Sequence, residues 1–253
     1  MRGGRIARRL ACHALCAAAC AAARAESFED EAEPFTREEY AAAVSAVISS
    51  CTVKAVLGPA VTPLPLAVSD FLLDHPDLSA YIVNRHGIAP YRIEMLGPRR
   101  SFADDGEGTR GVVNLVEANE QHRLYYGEGV NRSLLFPDIR ATAVIAMELS
   151  ERTGPGGRTQ TMTTFLVWVR IKNRFVSGLI KTLRPFLQGT VVRKFSKAFF
   201  VADSVGRLMA RDPGAVAVDV SLFPSLLVED RAAILRMIAG LKPRPAAPAL
   251  PRR

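Results

Sequence analysis

Between Val191 and Met209 the apolar residues Val191, Phe195, Ala198, Phe199, Ala202, Val205 and Met209 return every three or four positions. Coiled as a helix, the stretch carries hydrocarbon on one side and Arg193, Lys194, Lys197 and Arg207 on the other. So long a stripe has to be buried, and that requirement constrains the fold more than any other feature. The segments before it supply a partner. "PYRIEMLG", "TRGVVNLVEA", "HRLYYGEGV", "IRATAVIAMELSER" and "RTQTMTTFLVWVRIKN" are rich in Val, Ile, Thr, Tyr and Phe. The clusters "GPRRSFADDGEG", "NEQ", "FPD" and "TGPGG" separate them. Successive strands with short connections form an antiparallel sheet. Alternation is clearest in Thr161, Thr163, Phe165, Val167, Val169 and Ile171, which puts Trp168 and Arg170 on the other face.

Helical patterns flank the strands. Thr36 and Glu39 form a capping box, which predicts a helix from about Arg37 to Ser49. "CTVKAVLG" reads as a strand, and "TPLPLAVSDFLLD" and "HPDLSAYIVNRHG" as two short helices, the second with Pro76 in its first turn. A helical stretch then runs from Arg174 to about Arg211. Pro185 lacks an N–H and crowds the preceding turn, so a break is expected there, with a shorter amphipathic piece from about Arg174 to Arg184. "DPGAVAVDVSLFP" reads as less regular, a last helix lies near Val228–Leu241, and the Pro-rich "KPRPAAPALPRR" is expected to be extended and disordered.

Net charge is +8, from 33 basic and 25 acidic residues. Residues 1–25 hold five Arg and residues 242–253 hold Lys242, Arg244, Arg252 and Arg253, with no acid in either end. Removing these nine leaves 24 basic against 25 acidic residues, so a nucleic-acid reading of the whole protein fails. A local run, Arg170 to Lys197, still has eight bases and no acid. It reads as a solvated helix face or as a contact with anionic lipid.

The opening "MRGGRIARRLACHALCAAACAAARA" has a basic start, an Ala-rich middle and an Ala23-Arg24-Ala25 site, the layout of a signal peptide cleaved near Ala25. The expected location is periplasmic or secreted. An organellar presequence is the alternative, and lipoprotein processing at Cys20 is a weaker one. Cys12, Cys16 and Cys20 lie in this leader, so the body keeps only Cys51 and no internal disulfide. No stretch of about 18 uninterrupted apolar residues occurs in the body.

Catalytic constellations are scarce. His75, His86 and His122 have no ligand spacing with one another or with a cysteine, and no Gly-x-Ser-x-Gly elbow occurs. "DDGEG" lacks the ligand pattern of a calcium loop and reads as a solvated turn. "GPGG" joins strands and is no phosphate cradle. No cofactor or metal is expected. Arg123, Tyr125 and Tyr126 lie together on one predicted strand.

One strand, two short helices, a run of antiparallel strands and a long amphipathic helix, with "AVSDFLLDHPDLSAYI" as the helix pair, resemble the START-like (SRPBCC, helix-grip) superfamily over roughly Thr52 to Pro213. The resemblance implies an α+β fold, a curved antiparallel sheet wrapped around a long C-terminal helix. The helix-grip domain is thus expected over 52–213; around it the sequence reads as leader 1–25, helical extension 26–51, helical extension 214–241 and basic tail 242–253, and the two helical extensions depart from the family's pattern. The resemblance further implies a lipid or other hydrophobic small molecule held between sheet and helix. Leu124, Tyr126, Ile145, Met147, Phe165, Val167 and Val169 would line the sheet side, and Phe186, Val191, Phe195 and Phe199 the helix side. Arg174, Lys181, Arg184, Arg193, Lys194 and Lys197 are the candidate membrane-contact residues. Two rivals remain: a membrane-surface or partner-binding module with a closed core, and a cyclase-like enzyme using Tyr126.

Overall fold

A computed structural model describes residues 37–132, 138–172 and 174–241, with backbone alone at 174–188 and 198–199. The chain divides into residues 1–39, of which only the last three are described, and one compact unit, residues 40–253.

Seven strands form a single antiparallel sheet. They are β1 (Val53–Thr62), β2 (Arg92–Gly97), β3 (Arg100–Asp104), β4 (Thr109–Ala118), β5 (His122–Asn131), β6 (Ile139–Thr153) and β7 (Thr159–Ile171). Their order is β1-β7-β6-β5-β4-β3-β2, so the first strand returns to the edge beside the last. The α-helices among the described residues are α1 (Arg37–Ser49), α2 (Leu66–Asp74), α3 (Pro76–Arg85), α4 (Arg174–Arg211), α5 (Pro213–Leu222) and α6 (Val228–Ala239), and a 3-10 turn, Pro155–Gly157, joins β6 to β7. A long helix laid on one face of an antiparallel sheet, with a helix pair after the first strand, is the helix grip. The α+β expectation holds.

Directly opposed residues in an antiparallel pair share a face, which defines two surfaces. Val53, Val167 and Val169 pack with Ala141, Ala143, Ile145, Phe165 and the α4 residues Val191 and Phe195; this is the inner face. Tyr126, Val144 and Trp168 pack with Leu124 and with Tyr40, Ala43, Val44 and Val47 of α1, which covers part of the outer face. A third cluster lies beside the sheet, where Val201, Val205, Leu208 and Met209 of α4 pack with α2, α3, α5 and α6 around Leu78, Ile82, Val216 and Ile234. The stripe from Val191 to Met209 is therefore shared: its first half meets strands and its second half meets helices.

Gly206 explains how α4 changes partner. A Cβ there would collide with the Thr62 side chain and stand 3.4 Å from Leu64 Cδ1, so the helix passes the end of β1 where it has no side chain.

Three sequence expectations change. α4 is a single 38-residue helix through Pro185, with no break. Proline removes one backbone hydrogen bond at a cost of roughly 3 kcal/mol, and a helix this long is held by many others and by packing at its far end. "DPGAVAVDVSLFP" is not irregular but helical, because the Asp212 carboxylate accepts from Ala215 N (3.0 Å) and Pro213 occupies the first turn. Strand β3 lies inside "GPRRSFADDGEG", a cluster read as a connection; Phe102 at its centre is buried.

Candidate functional site: the inner face and its polar rim

Register arranges the inner face in rows. One row runs Ile93, Ala103, Gly111, Gly129, Ala141, Ile171, and the next Met95, Ser101, Val113, Gly127, Ala143, Val169. Across β3 to β6 these two rows hold chiefly Gly and Ala, so the floor is low there. The following rows are tall: Leu115, Tyr125, Ile145 and Val167, then Arg123, Met147 and Phe165. Leu57, Ala141, Ala143, Ile145, Phe165 and Ile171 belong to the inner-face cluster yet stay only half-buried.

Of the residues expected to line a guest, Ile145, Met147, Phe165, Val167 and Val169 share this face, and Val191 and Phe195 lie against it. Leu124 and Tyr126 do not. They pair with Ala146 and Val144 and sit on the outer face, where the Tyr126 ring meets Tyr40 edge-on at 6.0 Å. The Tyr126 hydroxyl donates to Glu128 Oε1 (2.6 Å), and burial together with that carboxylate pushes its pKa up. Tyr126 is thus a structural residue, and Tyr125 takes the inward position. The side chains of Phe186 and Phe199 lie outside the described residues.

At the tall end stands a buried ion cluster. The Arg123 guanidinium, 3% exposed, donates to Asp70 Oδ1 from Nη2 (2.6 Å) and Nε (3.2 Å), and to Asp74 Oδ1 from Nη1 (2.7 Å). Asp70 and Asp74 are four residues apart on α2 and so project to one side. Burial acts against the Arg123 charge, and the two carboxylates more than offset it, so its pKa moves up. Burial also raises the pKa of Tyr125, which stays a neutral phenol although Arg123 pulls the other way. Tyr125, Asp74, Leu73, Met95, Val113 and Leu115 line a cleft of about 40 Å³ between the α2–α3 elbow and the sheet edge.

A second polar group fastens α4 to the loop between β3 and β4. Lys194 Nζ lies 2.6 Å from Asp105 Oδ2 and 3.5 Å from Glu107 Oε2, and Lys197 pairs with Glu107. Asp105 Oδ1 also accepts from Glu107 N (2.7 Å) and Thr109 N (2.9 Å). Asp105 is 8% exposed while Gly106 and Glu107 are exposed, so "DDGEG" is a turn whose tip is solvated and whose second carboxylate is buried. Lys194 and Lys197 are correspondingly not free to meet a membrane, because carboxylates distant in sequence hold them. Arg193 is exposed, and the side chains of Arg174, Lys181 and Arg184 lie outside the described residues.

Burial works to raise the Asp105 pKa, but hydrogen bonds from Lys194 and two backbone amides win and hold it below the ordinary carboxylate value. A depressed folded-state pKa gives stability that is present above the unfolded value, about 3.9, and lost as pH falls through the folded one. Asp105→Asn is expected to lower Tm by a few degrees at pH 7, with the difference from wild type closing as pH falls below the ordinary carboxylate range. Thermal melts from pH 7 to pH 2.5 check this.

Among the described residues no group of three or more His, Cys, Asp or Glu side chains could hold a metal ion. His86 Nε2 lies 2.7 Å from Asp219 Oδ2 while Arg85 Nε donates to Oδ1 (2.7 Å), a clasp between the end of α3 and α5.

No protein-family model matches the chain, and no curated protein does. Among solved structures, a conserved protein from Geobacillus kaustophilus overlaps 61% of this chain and 93% of its own at 12% identity and TM-score 0.42. Ara h 8.0201 overlaps 61% and 98% at 11% identity and TM-score 0.39. A truncated norcoclaurine synthase from Thalictrum flavum overlaps 60% and 94% at 13% identity and TM-score 0.34. Overlaps this loose carry nothing about ligand or chemistry.

Proposed function

We propose that this chain is an exported START-like protein that binds a lipid or other hydrophobic small molecule between the inner face of the sheet and α4. The observation that carries the reading is the low Gly and Ala floor beside apolar side chains that are only half-buried. Apolar surface left reachable inside a grip gains about 25 cal/mol for each Å² that a guest covers. Tyr125 and Asp74 supply the polar rim that orients it. The basic, Ala-rich first 25 residues support export, and a hydrophobic cargo crossing an aqueous compartment needs shielding. Tyr126, the best residue for a cyclase-like enzyme, faces away from the interior.

Gly127 gives the direct test. A Cβ built there meets Val112 O at 3.6 Å and Val113 Cγ2 at 3.9 Å, which are ordinary contacts. Gly127→Leu therefore raises the floor without forcing the backbone. It is expected to weaken binding of a fluorescent fatty-acyl probe about tenfold or more while Tm moves little. Solvent extraction of the purified full chain, followed by mass spectrometry, should release a co-purifying hydrophobic compound. No extract and no probe binding by wild type would end the carrier reading.

A further inference from the structure

We infer that the corner formed by α5, α6 and their connection docks on an anionic lipid bilayer. Val218 and Leu222, one turn apart on α5, are 56% and 57% exposed; Leu227 and Val228, where α6 begins, are 65% and 79% exposed. Ser221, Pro224 and Ser225 are exposed beside them in sequence. From Pro213 to Val228 the chain has one charged residue, Asp219, and its carboxylate is buried against Arg85 and His86. Arg231 Nη2 donates to the carbonyls of Phe223 (2.7 Å) and Leu226 (3.2 Å), which fixes the connection to α6 and holds the corner in shape. The result is an uncharged aliphatic ridge that stands out from a well-packed helical cluster.

Charge selects the occupant. Residues 242–253, which follow α6, carry Lys242, Arg244, Arg252 and Arg253 and no acid. α6 is about 18 Å long, and twelve residues of chain span at most about 43 Å, so these bases are within reach of the ridge. Anionic headgroups attract such a segment at about 1 kcal/mol per base, while the aliphatic side chains enter the acyl boundary. A second copy of the chain fits less well. A two-fold contact would bring two basic segments together, and the ridge has no Trp, Tyr or Arg anchor of the kind that carries protein interfaces. Glu229 and Asp230, in the first turn of α6, are the acidic side chains next to the ridge in sequence that oppose an anionic surface. The inference stands apart from the carrier reading, since it does not need a guest on the inner face.

Flotation of the full chain with vesicles of phosphatidylcholine, alone or with about a quarter phosphatidylglycerol, tests it. Wild type is expected to float with the phosphatidylglycerol vesicles and to be released by about 0.5 M salt. The double variant Leu227→Asp and Val228→Asp should lose about tenfold or more in partitioning with Tm retained, since both side chains already face water. If that variant melts early, Leu227→Ser with Val228→Ser should show the same loss. Arg252→Glu with Arg253→Glu should remove the preference for phosphatidylglycerol. The inference is overturned if wild type floats with neither composition or if the ridge variants float as wild type does. It is equally overturned if wild type sediments as a dimer that the ridge variants make monomeric.

Discussion

Replacing Arg123 by leucine is expected to remove about 3 kcal/mol of unfolding free energy. The guanidinium is 3% exposed and its Nε, Nη1 and Nη2 atoms all donate to α2. Losing one partner from a buried ion cluster costs about 3–5 kcal/mol when the charge left behind stays buried. Here the groups left behind are Asp70 and Asp74, whose side chains are 36% and 52% exposed, so water takes up part of the loss and the lower end applies. The converse change should be worse. Asp70→Asn with Asp74→Asn leaves a desolvated guanidinium without charge compensation, and its cost should exceed that of Arg123→Leu. Urea unfolding of wild type and both variants measures the difference. A loss under about 1 kcal/mol for Arg123→Leu would mean that packing, not this cluster, holds α2 to β5.

The cluster also shows what the sequence could reveal and what it could not. Asp70 and Asp74 at helical spacing, and Arg123 on an alternating strand, are visible as patterns; that they meet across about 50 residues is not. The elements themselves read well wherever local chemistry is strong. The capping box placed α1 at Arg37–Ser49, and Pro76 marked the start of α3. The faces of β7 followed from alternation, with Trp168 on the side opposite Val167 and Val169. Strand β5 misled because its outer face is covered as well as apolar. Leu124 and Tyr126 are more apolar than Arg123, Tyr125, Gly127 and Gly129, so the wrong phase looked like the inward one. Only the presence of α1 on the outer face makes an apolar outward side sensible, and covered sheets lose the alternation that register is read from. Two bases of the run that ends on α4 have partners hidden from sequence in a different way. Lys194 and Lys197 are neutralised by Asp105 and Glu107, some 90 residues earlier, and a one-dimensional charge map cannot register such a pairing. The Asp212-Pro213 pair did announce α5, and the Gly and Ala content of the following turns hid it.

Two glycines on the inner face should separate the stability of the grip from its capacity. Gly111→Ala is expected to cost roughly 2–4 kcal/mol, and Gly127→Ala less than about 1 kcal/mol, although the same methyl group is added to the same surface. A Cβ at Gly111 would collide with the backbone carbonyl oxygen of Glu128 and stand 2.7 Å from Gly129 Cα. Those atoms belong to β5, which is laddered to β4 on one side and β6 on the other, so relief on one side strains the other. Gly111 is there because two backbones approach closely; at Gly127 an added Cβ meets its neighbours only at ordinary contact distances. Stability measured in urea and binding of a fatty-acyl probe should therefore come apart. Alanine at 111 should lower the unfolding midpoint before it affects the guest, and leucine at 127 should exclude the guest before it affects the midpoint. If leucine at 127 leaves probe binding intact, the low floor of β4 to β6 is not where a guest lies. The half-buried side chains along Ile145 and Phe165 would then need a different explanation, one in which the interior closes over itself.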